Sequence, residues 1–176
     1  MAEPVSVEQI RQHLRVDNTD DDVLITAIGV AAREWVEAYT GLILTRREVT
    51  EIASSFAALG SIAAWPLPLA PETTIRFVDQ AGGEQELVGF AIRAWARPAT
   101  IAPEAGGRWP IGGPVAVTFL AGYAAPEDVP ASLKAAILLI VGNLYAHRET
   151  TVAGVTLADS GAIEMLCRPY RMPVIG

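Results

Sequence analysis

Between Pro130 and Glu149 lies a segment that is apolar almost all the way round a helix, and no other stretch constrains the fold as strongly. Leu133, Ile137, Ile140, Val141 and Leu144 recur at helical spacing, while Leu138 and Leu139 fall outside that stripe. A helix of this kind must be covered on several sides or meet another molecule. Each large aliphatic side chain it buries is worth about 1.5–3 kcal/mol, which makes it the expected keystone of the core. The helix enters through Pro130, permitted in a first turn, with Asp128 or a neighbour as its cap. Its apolar run, Ala135–Val141, follows Lys134 and stops at Gly142-Asn143, far short of the ~20 residues a membrane span needs.

The N-terminal third predicts two further helices. Ser6 with Gln9 forms a capping box, and Val5 and Ile10 occupy the hydrophobic-staple positions. Val7, Ile10 and Leu14 then share a face over about residues 7–15. Thr19 with Asp22 is a second capping box, and Asp20-Asp21-Asp22 lies where the helix dipole favours negative charge. From there Leu24, Ile28, Ala31, Trp35 and Tyr39 make an amphipathic stripe that ends at the Gly41 stop. Gly29 inside this helix costs about 1 kcal/mol against alanine, which points to close helix packing.

The middle, residues 42–122, reads differently. Leu42–Ile52 and Thr73–Val78 are expected strands; Asp79–Gly83 is a turn, and Glu86–Val88 returns from it. Phe90–Trp95 and Val115–Leu120 add further strands, while seven prolines between Pro66 and Pro114 keep the segments short. Short strands between helical ends predict an antiparallel sheet and an α+β chain, with no βαβ succession. With 176 residues, one domain is expected: 1–41 helical, 42–122 a β-rich insertion, 128–150 the core helix, and 151–176 a C-terminal segment. In that last segment Ser160 caps a short turn over Ala162–Leu166. Trp35, Tyr39, Leu133, Ile137, Ile140 and Leu144 are the expected packing residues.

Chemistry is harder to find. His13 and His147 have no metal-ligand partner at useful spacing, and a single cysteine, Cys167, writes no zinc site of the usual kind. Cys167 is a nucleophile only with a base beside it, and His147 is the one candidate. Asp20-Asp21-Asp22 lacks the alternating oxygen ligands of a calcium loop. Gly82-Gly83, Gly106-Gly107 and Gly112-Gly113 lack the Lys and Ser/Thr of a phosphate cradle and read as turns. No catalytic, cofactor-binding or metal-binding residue is therefore assigned. The lone cysteine suits a reducing compartment, and Met1-Ala2-Glu3-Pro4 carries no secretory pattern. A formal net charge of −7, with Arg46-Arg47 the only adjacent basic pair, makes the chain a poor grip for nucleic acid.

The order of segments resembles a known family. Ser6-Val7-Glu8-Gln9-Ile10, His13-Leu14-Arg15-Val16-Asp17 and Asp20-Asp21-Asp22 open the likeness, followed by Ala31-Ala32-Arg33-Glu34-Trp35-Val36-Glu37-Ala38-Tyr39-Thr40-Gly41. Val115–Tyr123, Val129-Pro130-Ala131-Ser132-Leu133-Lys134 and the Tyr145–Glu149 helix end complete it. Together they are similar to the head–tail connector (head-completion adaptor) family of long-tailed bacteriophages and gene transfer agents. His147 departs from the family, where Asn is common, and the stretch around Ala153–Ser160 is not part of the likeness.

The resemblance implies a structural virion subunit of the neck, assembled in the host cytoplasm into a closed ring of about twelve copies beneath the portal. The partners it implies are the portal protein, a stopper or tail-completion protein, and the chain itself, with DNA passing without specific binding and no membrane. A C-terminal segment docks on the portal in such adaptors, and here Arg168, Tyr170, Arg171 and Met172 carry residue types enriched at interface hot spots. The acidity then suggests a conduit that repels phosphate. Three other readings stay open: a different neck protein (stopper or tail-completion), a small cysteine-dependent enzyme, and a free-standing interaction module.

Overall fold

The computed structural model describes residues 2–68, 71–147 and 160–172. The expected helix end at Arg148-Glu149 and the stretch Ala153–Asp159 lie outside the described residues. The chain is α+β with antiparallel sheets. It divides into two units, Met1–Thr45 with Tyr123–Gly176, and Arg46–Gly122.

The first unit holds α1 (Val7–Leu14), α2 (Asp22–Thr40), α3 (Ala131–Ala146) and α4 (Ser160–Cys167). At α1 the capping box forms in full: Gln9 N–H donates to Ser6 Oγ at 3.3 Å, and Ser6 N–H donates to Gln9 Oε1 at 2.9 Å. The staple pair Val5 and Ile10 is buried. Gly29 has the predicted use, because a Cβ there would lie 2.9 Å from Ile10 Cδ1, so α1 closes onto α2 at that glycine. Gly41 ends α2 in the left-handed region at φ 65°, where a side chain would be strained.

Two expected caps are replaced. Asp21, not Thr19, is the cap residue of α2, and it makes no side-chain capping bond. Its carboxylate instead accepts from Tyr145 Oη at 2.5 Å, and Asp22 pairs with Arg11 at 3.5 Å, so tertiary partners take the acids away from the helix end. At α3 the cap residue is Pro130, while Asp128 closes a 3-10 turn, Pro126–Asp128, by accepting from Ala125 N–H at 3.1 Å.

Leu42–Thr45 does not join a strand as expected; all four residues are buried in the first unit. Three successive apolar side chains have no period of two, and their amides find other acceptors. Leu44 N–H donates to Glu37 Oε1 at 2.6 Å, and Leu42 N–H donates to Thr40 Oγ1 at 3.2 Å. Glu37 is itself buried and accepts from Arg33 Nη1 at 2.9 Å, while Arg33 Nε donates to Glu3 Oε2 at 2.9 Å.

The second unit contains β1 (Arg47–Ala53), β2 (Ser61–Ile62), β3 (Thr73–Asp79), β4 (Glu84–Leu87), β5 (Phe90–Arg93), β6 (Ala99–Pro103) and β7 (Gly112–Ala121). They form two antiparallel sheets, in the orders β1-β7-β3-β4 and β2-β6-β5. β7 is the central strand of the first: Val115, Val117, Phe119 and Ala121 alternate inward, and Val117 lies between Glu51 and Ile75. On the opposite face the Thr50 and Thr118 hydroxyls meet at 2.9 Å across the β1–β7 pair. Phe56 packs on Phe77 and Trp109, with ring centroids 5.0 and 5.2 Å away.

Two strands, β2 and β6, were not expected from the sequence. β6 buries Ala99 and Ile101 by alternation, but the flanking Pro98 and Pro103 obscure it. Of the glycine pairs, Gly112-Gly113 is no turn but the start of β7. A Cβ on Gly112 would lie 2.5 Å from the Val78 carbonyl oxygen, and one on Gly113 would lie 2.2 Å from that of Ser54. Only a residue without Cβ fits between these neighbours.

Candidate subunit interface

α2 carries two apolar stripes one residue apart, and the structure buries the second. Ile25, Ala32 and Val36 face the core, whereas the expected stripe of Leu24, Ile28, Ala31, Trp35 and Tyr39 is exposed or half-buried. Periodicity alone does not choose between stripes 100° apart on one helix. Contacts that leave the helix hold the chosen face: Arg33 Nε donates to Glu3 Oε2 at 2.9 Å, and Tyr145 Oη donates to the Asp21 carboxylate at 2.5 Å.

Of the six expected packing residues, Leu133, Ile137 and Ile140 are buried on α3 and Tyr39 is half-buried. Trp35 and Leu144 are each 40% exposed, so they are surface residues. Trp35 stacks on Tyr39 with ring centroids 5.2 Å apart and the planes 11° from parallel.

The exposed stripe meets the outer side of α3 in an open groove of about 410 Å³, lined by Leu24, Ala27, Ile28, Ala31, Leu144 and His147. None of the lining side chains carries a carboxylate, in a chain of formal charge −7. The acidic run Asp20-Asp21-Asp22 stands one helical turn before Leu24. The Asp21–Tyr145 bond holds that run beside the residue that follows Leu144.

The C-terminal segment is anchored within the first unit. Ile163 and Cys167 of α4 are buried, and the 3-10 turn Arg168–Tyr170 follows directly. The Ser132 hydroxyl donates to Tyr170 Oη at 3.0 Å, and the Arg171 guanidinium lies 5.3 Å from the Tyr39 ring centroid. Arg168 and Arg171 are exposed; Tyr170 and Met172 are half-buried. Of the candidate docking residues, Tyr170 therefore lies against α3 and Arg171 against α2.

Cys167 has no exposed surface, and burial pushes its thiol up to about 11. A thiol at that value is almost wholly protonated at neutral pH and is a poor nucleophile. His147 is exposed at the end of α3, where its Nδ1 lies 3.0 Å from the Asn143 carbonyl oxygen. Among the described residues no three His, Cys, Asp or Glu side chains are grouped to hold a metal ion. No described helix is long and apolar enough to cross a membrane.

One surface feature escaped the sequence reading. The turn between β5 and β6 presents Trp95 at 76% exposure, with the Arg93 guanidinium 5.9 Å from its ring centroid. The signal was the string Arg93-Ala94-Trp95-Ala96-Arg97, two cations and an aromatic without an acid.

The chain thus combines a helical unit, with an apolar groove open among the described residues, and a unit of short-stranded antiparallel sheets. Residues 4–65, which include α1, α2 and β1, match the family described as phage gp6-like head-tail connector proteins. The fold as a whole matches a chain from the virion of a native gene transfer agent particle, with TM-score 0.77 and 24% identity over 98% of this chain and 92% of that one. It also matches a chain from the neck of an empty gene transfer agent particle computed with C6 symmetry, at TM-score 0.74 and 24% identity over 100% and 95% of the two chains. A third match, at TM-score 0.74 and 23% identity over 100% and 95%, comes from the neck of a native particle computed with C12 symmetry. No curated protein matches the sequence.

Proposed function

We propose that this chain is a structural subunit of a virion neck, forming a ring beneath the portal that joins a DNA-filled head to a tail. The observation that carries the reading is a double agreement. The connector family match lies on residues 4–65, and the similarity to gene transfer agent neck structures extends over the whole chain. The α2–α3 groove, open among the described residues, supports it, because a ring subunit must bury surface that is exposed in the single copy.

The portal protein is the proposed partner on one side, and a stopper or tail-completion protein on the other. Arg168, Tyr170, Arg171 and Met172 are the proposed portal-docking segment, held on the first unit by the Ser132–Tyr170 and Tyr39–Arg171 contacts. The subunit works without catalysis or cofactor, and its net charge of −7 favours DNA passage over DNA retention.

The test is co-sedimentation of the purified chain with portal rings from the same genome, followed by electron microscopy. A stoichiometric layer on one end of the ring is expected, and truncation before Ser160 should abolish it. Absence of binding at low and moderate salt would overturn the portal-proximal assignment in favour of a stopper or tail-completion component.

A further inference from the structure

The groove and the β5–β6 turn are complementary in polarity and charge. The groove is largely apolar and free of carboxylates along its lining; the exposed Asp20 precedes the lining residue Leu24 by four positions, and its neighbour Asp21 is bonded to Tyr145, which follows the lining residue Leu144. The turn carries an exposed indole, Trp95, with the exposed Arg93 guanidinium beside it and the half-buried Arg97 two residues on, and no carboxylate between them. A volume of about 410 Å³ accommodates an indole together with the aliphatic stem of a neighbouring arginine. A ring also requires a heterologous contact, in which two different patches of the same chain meet around the circle. Copies that each carry −7 repel one another unless their seam is uncharged or of opposite sign.

We propose that the occupant of the α2–α3 groove is the β5–β6 turn of a second copy of this chain. Trp95 enters between Leu24, Ile28 and Leu144, and Arg93 faces the Asp20 end. Trp and Arg are the residue types that most often dominate an interface when seated in an apolar pocket with a charged rim. Trp95 is then the anchor of the lateral seam, and the acidic run at the start of α2 sets which way the ring closes. The proposal rests on the ring reading above.

The experiment places one cysteine on each side of the seam, Ala27→Cys in the groove and Ala96→Cys beside the indole; both positions are exposed in the single copy. The full-length double variant is assembled on portal rings and oxidised, with each single variant as a control. A ladder of covalent multimers from the double variant alone is the expected result. Trp95→Ala should raise the concentration needed for ring assembly roughly tenfold or more. Arg93→Glu should weaken assembly, and pairing it with Asp20→Arg should restore it.

Rings that form normally without intermolecular crosslinks, or with crosslinks only inside one chain, overturn the seam and leave the ring reading standing. If the wild-type chain forms no ring on the portal, the ring reading falls and the seam falls with it. Trp95 is a surface residue, so a variant that loses assembly while keeping its melting temperature separates the seam from the fold.

Discussion

Replacing Glu37 by alanine is the most informative perturbation of the helical unit. Its Oε1 accepts the Leu44 amide at 2.6 Å, and its Oε2 accepts from Arg33 Nη1 at 2.9 Å. Both ionic partners are nearly covered, with side-chain exposures of 11% for Arg33 and 9% for Glu37. Losing the carboxylate leaves a buried amide without this acceptor, which costs about 1–3 kcal/mol. Breaking a buried ion pair by removing one partner costs about 3–5 kcal/mol. Arg33 keeps Glu3 at 2.9 Å and Glu34 at 3.5 Å, so the second figure is reduced. A combined loss of about 3–4 kcal/mol is expected, which lowers the melting temperature by about 6–16 °C for a chain of this size.

Glu37→Gln keeps an oxygen for Leu44 and loses the charge facing Arg33, so it should lose about half as much. Urea titration and thermal melts followed by circular dichroism measure both. The deficit should change little with added salt, because the pair is shielded from solvent. A loss below about 1 kcal/mol for Glu37→Ala would refute the argument that this carboxylate fixes the exit of α2.

Three further outcomes follow from single sites. Cys167 should resist thiol reagents in the native protein and react only on unfolding; because its folded pKa of about 11 lies above the ordinary 9.0, the thiol contributes stability below pH 9 that is lost as pH rises toward 11. Gly113→Ala should destabilise the β unit by about 3 kcal/mol or more, or yield insoluble protein, since its Cβ would lie 2.2 Å from the Ser54 carbonyl oxygen. Asp79 accepts from the Gly83 amide at 2.9 Å, the Gln85 side-chain amide at 3.0 Å and the Ala81 amide at 2.9 Å, which holds its carboxyl below the usual 3.8. Exchange protection of the two backbone amides, followed by NMR, should therefore persist above pH 3.8 and disappear as pH falls through the lower folded value; Asp79→Ala should remove it at every pH.

Local chemistry was legible because it is written in short spacings. The Ser6–Gln9 box, the Val5–Ile10 staple, the Gly41 stop and the Asp79–Gly83 turn each depend on residues within five positions of one another, and each stands where the sequence placed it. Gly29 was legible for a related reason: a helix tolerates the entropic cost of a mid-helix glycine where a neighbour comes close. The resemblance to connectors was legible too, since the order and spacing of capping patterns persist in the linear chain.

What the tertiary structure alone decided is which surface of each element meets which partner. Leu24–Tyr39 and Ile25–Thr40 are equally good stripes by periodicity, and contacts beyond the helix, Arg33–Glu3 and Asp21–Tyr145, go with burial of the second. The cap of α2 stands at Asp21, whose carboxylate is engaged by Tyr145, and Leu42–Thr45 leaves the strand with the Leu44 amide bonded to Glu37. In the candidate docking segment, Tyr170 is bonded to Ser132 and the Arg171 guanidinium lies over Tyr39, partners that the sequence did not name. The physical reason is one of range: propensity and capping act over a turn or two of chain, whereas the choice of face is made by partners as far as 124 residues away. The groove of Leu24, Ile28 and Leu144 therefore became visible only after folding had assigned the other stripe to the core.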